Sequence, residues 1–155
     1  MRRPAARSAL SPFELSIHSG PYAVREALAL LFEGLTCLKL EAEETCLVRL
    51  VLAEMLNNIV EHAYPDPDRP GPIHIACHHE PDGLHLCVSD EGLPMPDLQA
   101  PLGLPQEIDG PICDLPEGGF GWFLIRDLAQ DLSYQRLAQE NRIELRLAVG
   151  VLTSD

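Results

Sequence analysis

Basic residues are scarce: 11 Lys and Arg face 24 Asp and Glu, for a formal net charge of −13 at pH 7. That deficit argues against nucleic acid as a partner, because affinity for a phosphate backbone rests mainly on Lys and Arg. The same field repels ATP, so any nucleotide site here must use a divalent cation, backbone N–H groups or both. No apolar run approaches membrane-spanning length, and MRRPAARSAL carries three Arg without the apolar centre of a signal peptide. No C-x-x-C pair occurs among Cys37, Cys46, Cys77, Cys87 and Cys113. That speaks against a zinc knuckle or a secreted disulfide framework and for reduced, half-buried thiols. Neither an internal repeat nor a shift in composition divides the 155 residues, 46% of which are hydrophobic. These features predict a soluble cytoplasmic protein with a flexible start over residues 1–10 and one domain over residues 11–155.

What is present follows two periodicities. FELSI, residues 13–17, alternates as a short strand, and Ser19-Gly20-Pro21 is a helix start. A first helix is predicted to run to about Gly34, with Val24, Ala27, Leu28, Leu31 and Phe32 on its core face. A long second helix is predicted from Glu41 to Tyr64, stopped by Pro65-Asp66-Pro67. Residues 73–80 and 84–90 alternate around Pro81-Asp82-Gly83 as a β-hairpin, with Ile73, Ile75, Cys77, Leu84, Leu86 and Val88 facing inward. His74, His78 and His85 then face outward, with His74 and His85 the pair able to meet across strands. Residues 93–117 hold six prolines and form a functional loop rather than an ordinary connection. A third helix over Trp122–Leu132 and two closing strands near 132–137 and 142–149, turning at Gln139-Glu140-Asn141, complete the chain. Three helices on one face of a mixed, mostly antiparallel sheet make a two-layer α/β sandwich.

Within VLAEMLNNIVEHAY, Glu54, Asn58 and His62 recur every fourth residue and share one helical stripe in an otherwise apolar run. Two later segments answer that stripe: VSDEGLP at residues 88–94 and EGGFGWFLIRDL at residues 117–128. Phosphoryl transfer needs a base at the attacked phosphorus, a ligand for the metal on the phosphates, a reader of the base and a phosphate cradle. Glu54 can take the proton of a hydroxyl or water, and Asn58 can hold Mg2+ through its amide oxygen without adding repulsive charge. Asp90 can accept from the adenine amino group, and Gly92 lets the backbone approach. Gly119 and Gly121 leave N–H groups to point at phosphate oxygens ahead of a helix. Singly, each motif has an ordinary explanation: a solvated helix face, a turn after a strand, a flexible linker. Their single occurrence in this order, on a helix, a strand end and a loop-to-helix junction, favours the chemical reading. His62 suits a polar group bonding within the corner before Pro65 better than a partner tuning Glu54, and Trp122 and Phe123 suit the core better than a ligand contact.

These three segments resemble the N box and the two glycine boxes of the anti-sigma factor, or regulatory serine-protein kinase, branch of the GHKL ATPase superfamily, over most of the domain. The resemblance implies a Bergerat-type ATP-binding fold in which Glu54 is the general base and Asn58 the magnesium ligand. It also implies Asp90 as the adenine contact, Gly119 with Gly121 as the phosphate turn, and residues 93–117 as the ATP lid. ATP and Mg2+ are the implied cofactors, and a STAS-type anti-anti-sigma antagonist and a sigma factor the implied partners. A homodimer follows from the resemblance alone. Pro94 replaces the second glycine of the usual D-x-G-x-G, and Phe120 stands where relatives often carry Arg. These departures set an alternative beside the kinase: a non-catalytic, nucleotide-gated protein-binding regulator. A sensor histidine-kinase fragment fits less well, since the sandwich fills the sequence without a helical pair bearing a phosphoacceptor His.

Overall fold

The computed structural model describes residues 10–98 and 121–152. Five strands form one sheet in the order β1-β2-β3-β5-β4: β1 Phe13–His18, β2 Pro72–Glu80, β3 Gly83–Asp90, β4 Gln130–Leu137 and β5 Glu140–Leu147. Every pairing among the described residues is antiparallel, in keeping with the mostly antiparallel sheet expected from sequence. Consecutive strands joined by tight turns, as in β2–β3 and β4–β5, need no crossover and so favour this arrangement. Helices α1 Ala23–Leu35, α2 Ala42–Asn58 and α3 Gly121–Leu128 supply the second layer of the sandwich.

Strand parity decides which side chains meet the helices. Ile73, Ile75 and Cys77 of β2 and Leu84, Leu86 and Val88 of β3 are buried, as their alternation predicts. Ile143, Leu145 and Leu147 continue that layer on β5. On the opposite face His78 and His85 stack with ring centroids 4.7 Å apart, while His74 pairs with the Ser16 hydroxyl instead. The reason is register: Cα partners are His78 with His85 and His74 with Ser89, so the expected His74–His85 pair lies out of reach. No cluster of three or more His, Cys, Asp or Glu suited to a metal exists among the described residues.

Helix α2 is the centre of the domain. Val48, Leu50, Val51, Leu52, Ala53, Met55 and Leu56 are all buried, so it packs on nearly every side. The Glu44 carboxylate reaches back to accept the Glu41 N–H, which fixes its N-terminus. It does not run unbroken to Tyr64. Ile59–Ala63 is a π-helical turn, whose wider i→i+5 bonding ends the four-residue repeat. His62 therefore leaves the line of Glu54 and Asn58: its side chain is 75% exposed, with the Glu61 carboxylate 3.9 Å away. Among the described residues it makes no hydrogen bond in the corner before Pro65, contrary to expectation.

Three further boundaries differ. α1 begins at Ala23 because Ser19 is engaged elsewhere, its hydroxyl accepting the Gly71 N–H at 3.0 Å. α3 ends at Leu128, four residues early, because Gln130 already belongs to β4. Asn141 sits in β5 rather than in the turn, paired with Asp90. Cys46 is disulfide-bonded rather than a thiol, and Cys37, Cys77 and Cys87 are free. Burial pushes the Cys77 thiol up to about 12, so it stays protonated as a small apolar core residue. No helix among the described residues is long and apolar enough to cross a membrane.

Candidate functional site

Glu54 lies on the buried side of α2, only 4% exposed. Its Oε2 accepts the Gly121 N–H at 3.2 Å, where α3 begins. A carboxylate at a helix N-terminus is electrostatically favourable, which offsets part of the cost of burying charge. Gly121 holds φ of +54°, a left-handed conformation that glycine adopts without a Cβ penalty. The N–H assigned from sequence to a phosphate thus meets the carboxylate assigned as the base. Asn58 follows one turn later, and its Nδ2 is buried without a hydrogen-bond partner among the described residues. An amide with unmet capacity next to a buried acid fits a ligand-binding side chain, because such groups are otherwise satisfied internally. Nδ2 is a donor, so Mg2+ would be held by the amide's Oδ1; with no multi-residue metal cluster among the described residues, the ion would take most of its oxygens from phosphate and water.

Asp90 ends β3 with the parity of Leu84, Leu86 and Val88, so it faces the helix layer and is 2% exposed. Its Oδ1 accepts the Gly92 N–H at 2.9 Å and the Asn141 Nδ2 at 2.8 Å. Burial raises its affinity for a proton; the Asn141 and Gly92 bonds and the Arg136 charge pull the other way, and Glu140 adds to the rise. The net shift is upward.

The segment after Asp90 is fastened to the end of the π-helical turn. Leu93 N–H donates to Ala63 O at 2.9 Å, and Glu91 N–H donates to the Tyr64 hydroxyl, which donates to Pro72 O, each at 2.7 Å. Gly92 has no room for a side chain: a Cβ there would stand 2.3 Å from Ala63 O. Its glycine thus serves the contact between two protein segments. Gly92→Ala is expected to cost about 1–3 kcal/mol through overpacking against backbone that cannot yield. A denaturant midpoint equal to that of the unaltered protein would refute this reading.

Gly119 and Phe120, with most of the predicted lid over residues 93–117, lie outside the described residues. Pro94 is described and exposed. Trp122 is buried in the core as predicted. A groove of about 400 Å³ lined by Pro21, Val60, Tyr64, Pro65, Pro67 and Pro70 shares Tyr64 with this region but neither Glu54, Asn58 nor Asp90.

Sequence reasoning missed Tyr64, Tyr134, Arg136 and Asn141. Parity alone could have found Asn141, since 141, 143, 145 and 147 all face inward and only the first is polar. Tyr64 had no such signal, because its role depends on a loop folding back from Glu91.

Residues 17–147 match the family described as histidine kinase-like ATPase domain. The serine-protein kinase RsbW of Halalkalibacterium halodurans is 38% identical over 85 residues, 52% of this chain and 49% of that protein. RsbW of Bacillus cereus is 33% identical over 87 residues, 55% of this chain and 52% of that protein. The chain spans about half the length of the curated relatives it matches. The crystal structure of the RsbU and RsbW domains of Rv1364c from Mycobacterium tuberculosis shares the fold, with a TM-score of 0.61 at 18% identity over 90% of this chain and 32% of that one. With its acid-and-amide helix, strand-end aspartate and glycine-led third helix on this sandwich, the chain belongs to the histidine kinase-like ATPase domain family.

Proposed function

We propose that this protein is an ATP-dependent serine/threonine protein kinase that phosphorylates a small STAS-type antagonist and, when not so engaged, sequesters a sigma factor. The observation that carries the reading is the meeting of Glu54 Oε2 with the Gly121 N–H at 3.2 Å, one helical turn from the amide of Asn58. This supports a reading in which Glu54, Asn58 and Gly121 act together as base, metal ligand and phosphate contact. The names of the relatives, serine-protein kinase RsbW, support the same activity.

In this reading Asp90 accepts from the adenine amino group, and the Gly119–Gly121 turn presents N–H groups to phosphate oxygens. Mg2+, when bound, would neutralise phosphate charge. Asn58 would hold that ion through a neutral oxygen, which matters in a chain of net charge −13. Phosphate at the Gly121 N–H releases Glu54 Oε2 to accept the proton of the incoming serine or threonine hydroxyl. The acidic surface favours partners that are basic where they dock, with association that weakens as salt rises.

Two measurements test the proposal. Incubation with γ-labelled ATP and a STAS-type antagonist is expected to label a serine or threonine of that partner; absence of transfer with ATP bound would reject the kinase. Titration of ATP is expected to be magnesium-dependent, and Asn58→Ala is expected to abolish that dependence with an affinity loss of about tenfold. Undiminished magnesium dependence in the variant would remove Asn58 from the site. A second reading, the non-catalytic nucleotide-gated regulator, draws on the same Glu54–Gly121 bond, which holds the base on the phosphate turn. It is distinguished by ATP binding that alters partner affinity without transfer.

A further inference from the structure

The inward parity of three neighbouring strands sets Asp90, Asn141 and Arg136 in a row. Asp90 is the Cα partner of Asn141 across β3 and β5, and Asn141 is that of Arg136 across β5 and β4. Tyr134 lies two residues before Arg136 on the same face of β4. Side chains in this row bond to one another and to the segment that follows Asp90.

Asn141 Nδ2 donates to Asp90 Oδ1 and to Leu93 O, both at 2.8 Å. Asn141 Oδ1 accepts from the Arg136 guanidinium at 3.0 Å and from the Tyr134 hydroxyl at 2.5 Å. Two donated and two accepted bonds saturate the amide. Its sense is fixed as well, because a flipped amide would aim its oxygen at a carboxylate and a carbonyl and its N–H groups at a guanidinium. Arg136 also donates to Gly92 O at 2.7 Å, and the Tyr134 hydroxyl accepts the Met95 N–H at 3.0 Å. Two residues of β4 thus hold both the amide behind Asp90 and the backbone from Gly92 to Met95.

The consequence falls on Asp90. Both side-chain hydrogen bonds it accepts among the described residues land on Oδ1, which leaves Oδ2 to a ligand. An acceptor there suits the amino group of adenine and opposes the O6 carbonyl of guanine. We propose that Tyr134 and Arg136 are positioning residues for purine selection: they lock the Asn141 amide so that Asp90 presents an acceptor to the base, and they pin residues 92–95 beside it. This rests on the ATP reading given above. The row is buried or half-buried, so a lost member is not replaced freely by water.

The test uses Tyr134→Phe, Arg136→Met and their combination, with Arg136→Lys as the conservative variant. In the nucleotide-free protein, amide hydrogen exchange at Gly92 is expected to accelerate about tenfold in the double variant. Neither altered residue bonds the Gly92 N–H itself, so faster exchange there reports loosening passed on through Asn141 and Asp90 and through the Gly92 carbonyl that Arg136 holds. Affinity for magnesium-ATP is expected to fall about tenfold and the preference for ATP over GTP to shrink, with Arg136→Lys restoring more of both than Arg136→Met. Tyr134→Phe alone, which keeps the strand and ring, is expected to accelerate exchange at Met95 and to reduce the preference more weakly. Variants that match the unaltered protein in Gly92 exchange and in ATP-over-GTP preference would overturn this inference alone. Failure of the unaltered protein to bind ATP would overturn the kinase reading and purine selection together.

Discussion

Glu54→Gln is expected to slow phosphoryl transfer by about 10²- to 10⁴-fold, the usual contribution of a positioned general base. Glutamine keeps the volume of a residue that is 4% exposed, and its amide oxygen can still accept the Gly121 N–H. Packing and the start of α3 therefore survive. The substitution also removes a negative charge from beside the phosphates, so ATP affinity is expected to hold or tighten while turnover collapses. That divergence separates a lost base from a damaged site. Single-turnover transfer of labelled phosphate, paired with calorimetric titration of ATP, measures both quantities. Transfer at an unaltered rate would move the base assignment away from Glu54, and a parallel loss of rate and affinity would indicate a binding role instead.

Asp90→Asn is expected to weaken ATP binding by about 10- to 150-fold, the worth of a hydrogen bond to a charged acceptor. Asn at this position can still receive the Asn141 and Gly92 donors on its oxygen, so the loop keeps its shape. Its N–H group then opposes the adenine amino group, donor against donor. The same change has an opposite effect on the fold. Burial lifts the Asp90 carboxyl above its ordinary value despite the Asn141 and Gly92 bonds and the Arg136 charge, with Glu140 adding to the rise. A raised folded-state value favours the protonated acid. Its contribution to stability is full below the unfolded-state value and is lost as pH rises through the folded-state value. At neutral pH the ionised carboxylate therefore costs stability, and the neutral amide relieves that cost. Asp90→Asn is expected to raise the melting temperature of the nucleotide-free protein at pH 7, with the gain shrinking toward acid pH. A variant that melts lower at pH 7 yet binds ATP as before would remove Asp90 from the adenine site and refute the balance of forces described around it. Tyr64, whose hydroxyl is pushed above its usual value chiefly by burial and also by Asp90 and Glu91, remains a phenol across this range and keeps its bonds.

Local repetition determined much of this protein in advance. The alternation of residues 73–77 and 84–88 set which faces are buried, and the apolar run around Glu54 marked the central helix. The three motifs pointed to the family because their residue types and order answer the needs of phosphoryl transfer, whatever the packing. Period and parity fix a side chain's direction relative to its own element, so a linear pattern suffices for them.

Tertiary structure decided how those directions meet. The π-helical turn turned His62 out to solvent, and nothing in an E-x-x-x-N-x-x-x-H spacing distinguishes backbone bonds that span five residues from bonds that span four. Asp90 and Asn141 are 51 residues apart in sequence, and their bond exists because β5 docks beside β3 in one register. A shift of one residue would have sent Asn141 to the open face among the histidines. Register between distant strands is set by the joint packing of the sheet against α2, a property of the whole core that no single segment encodes.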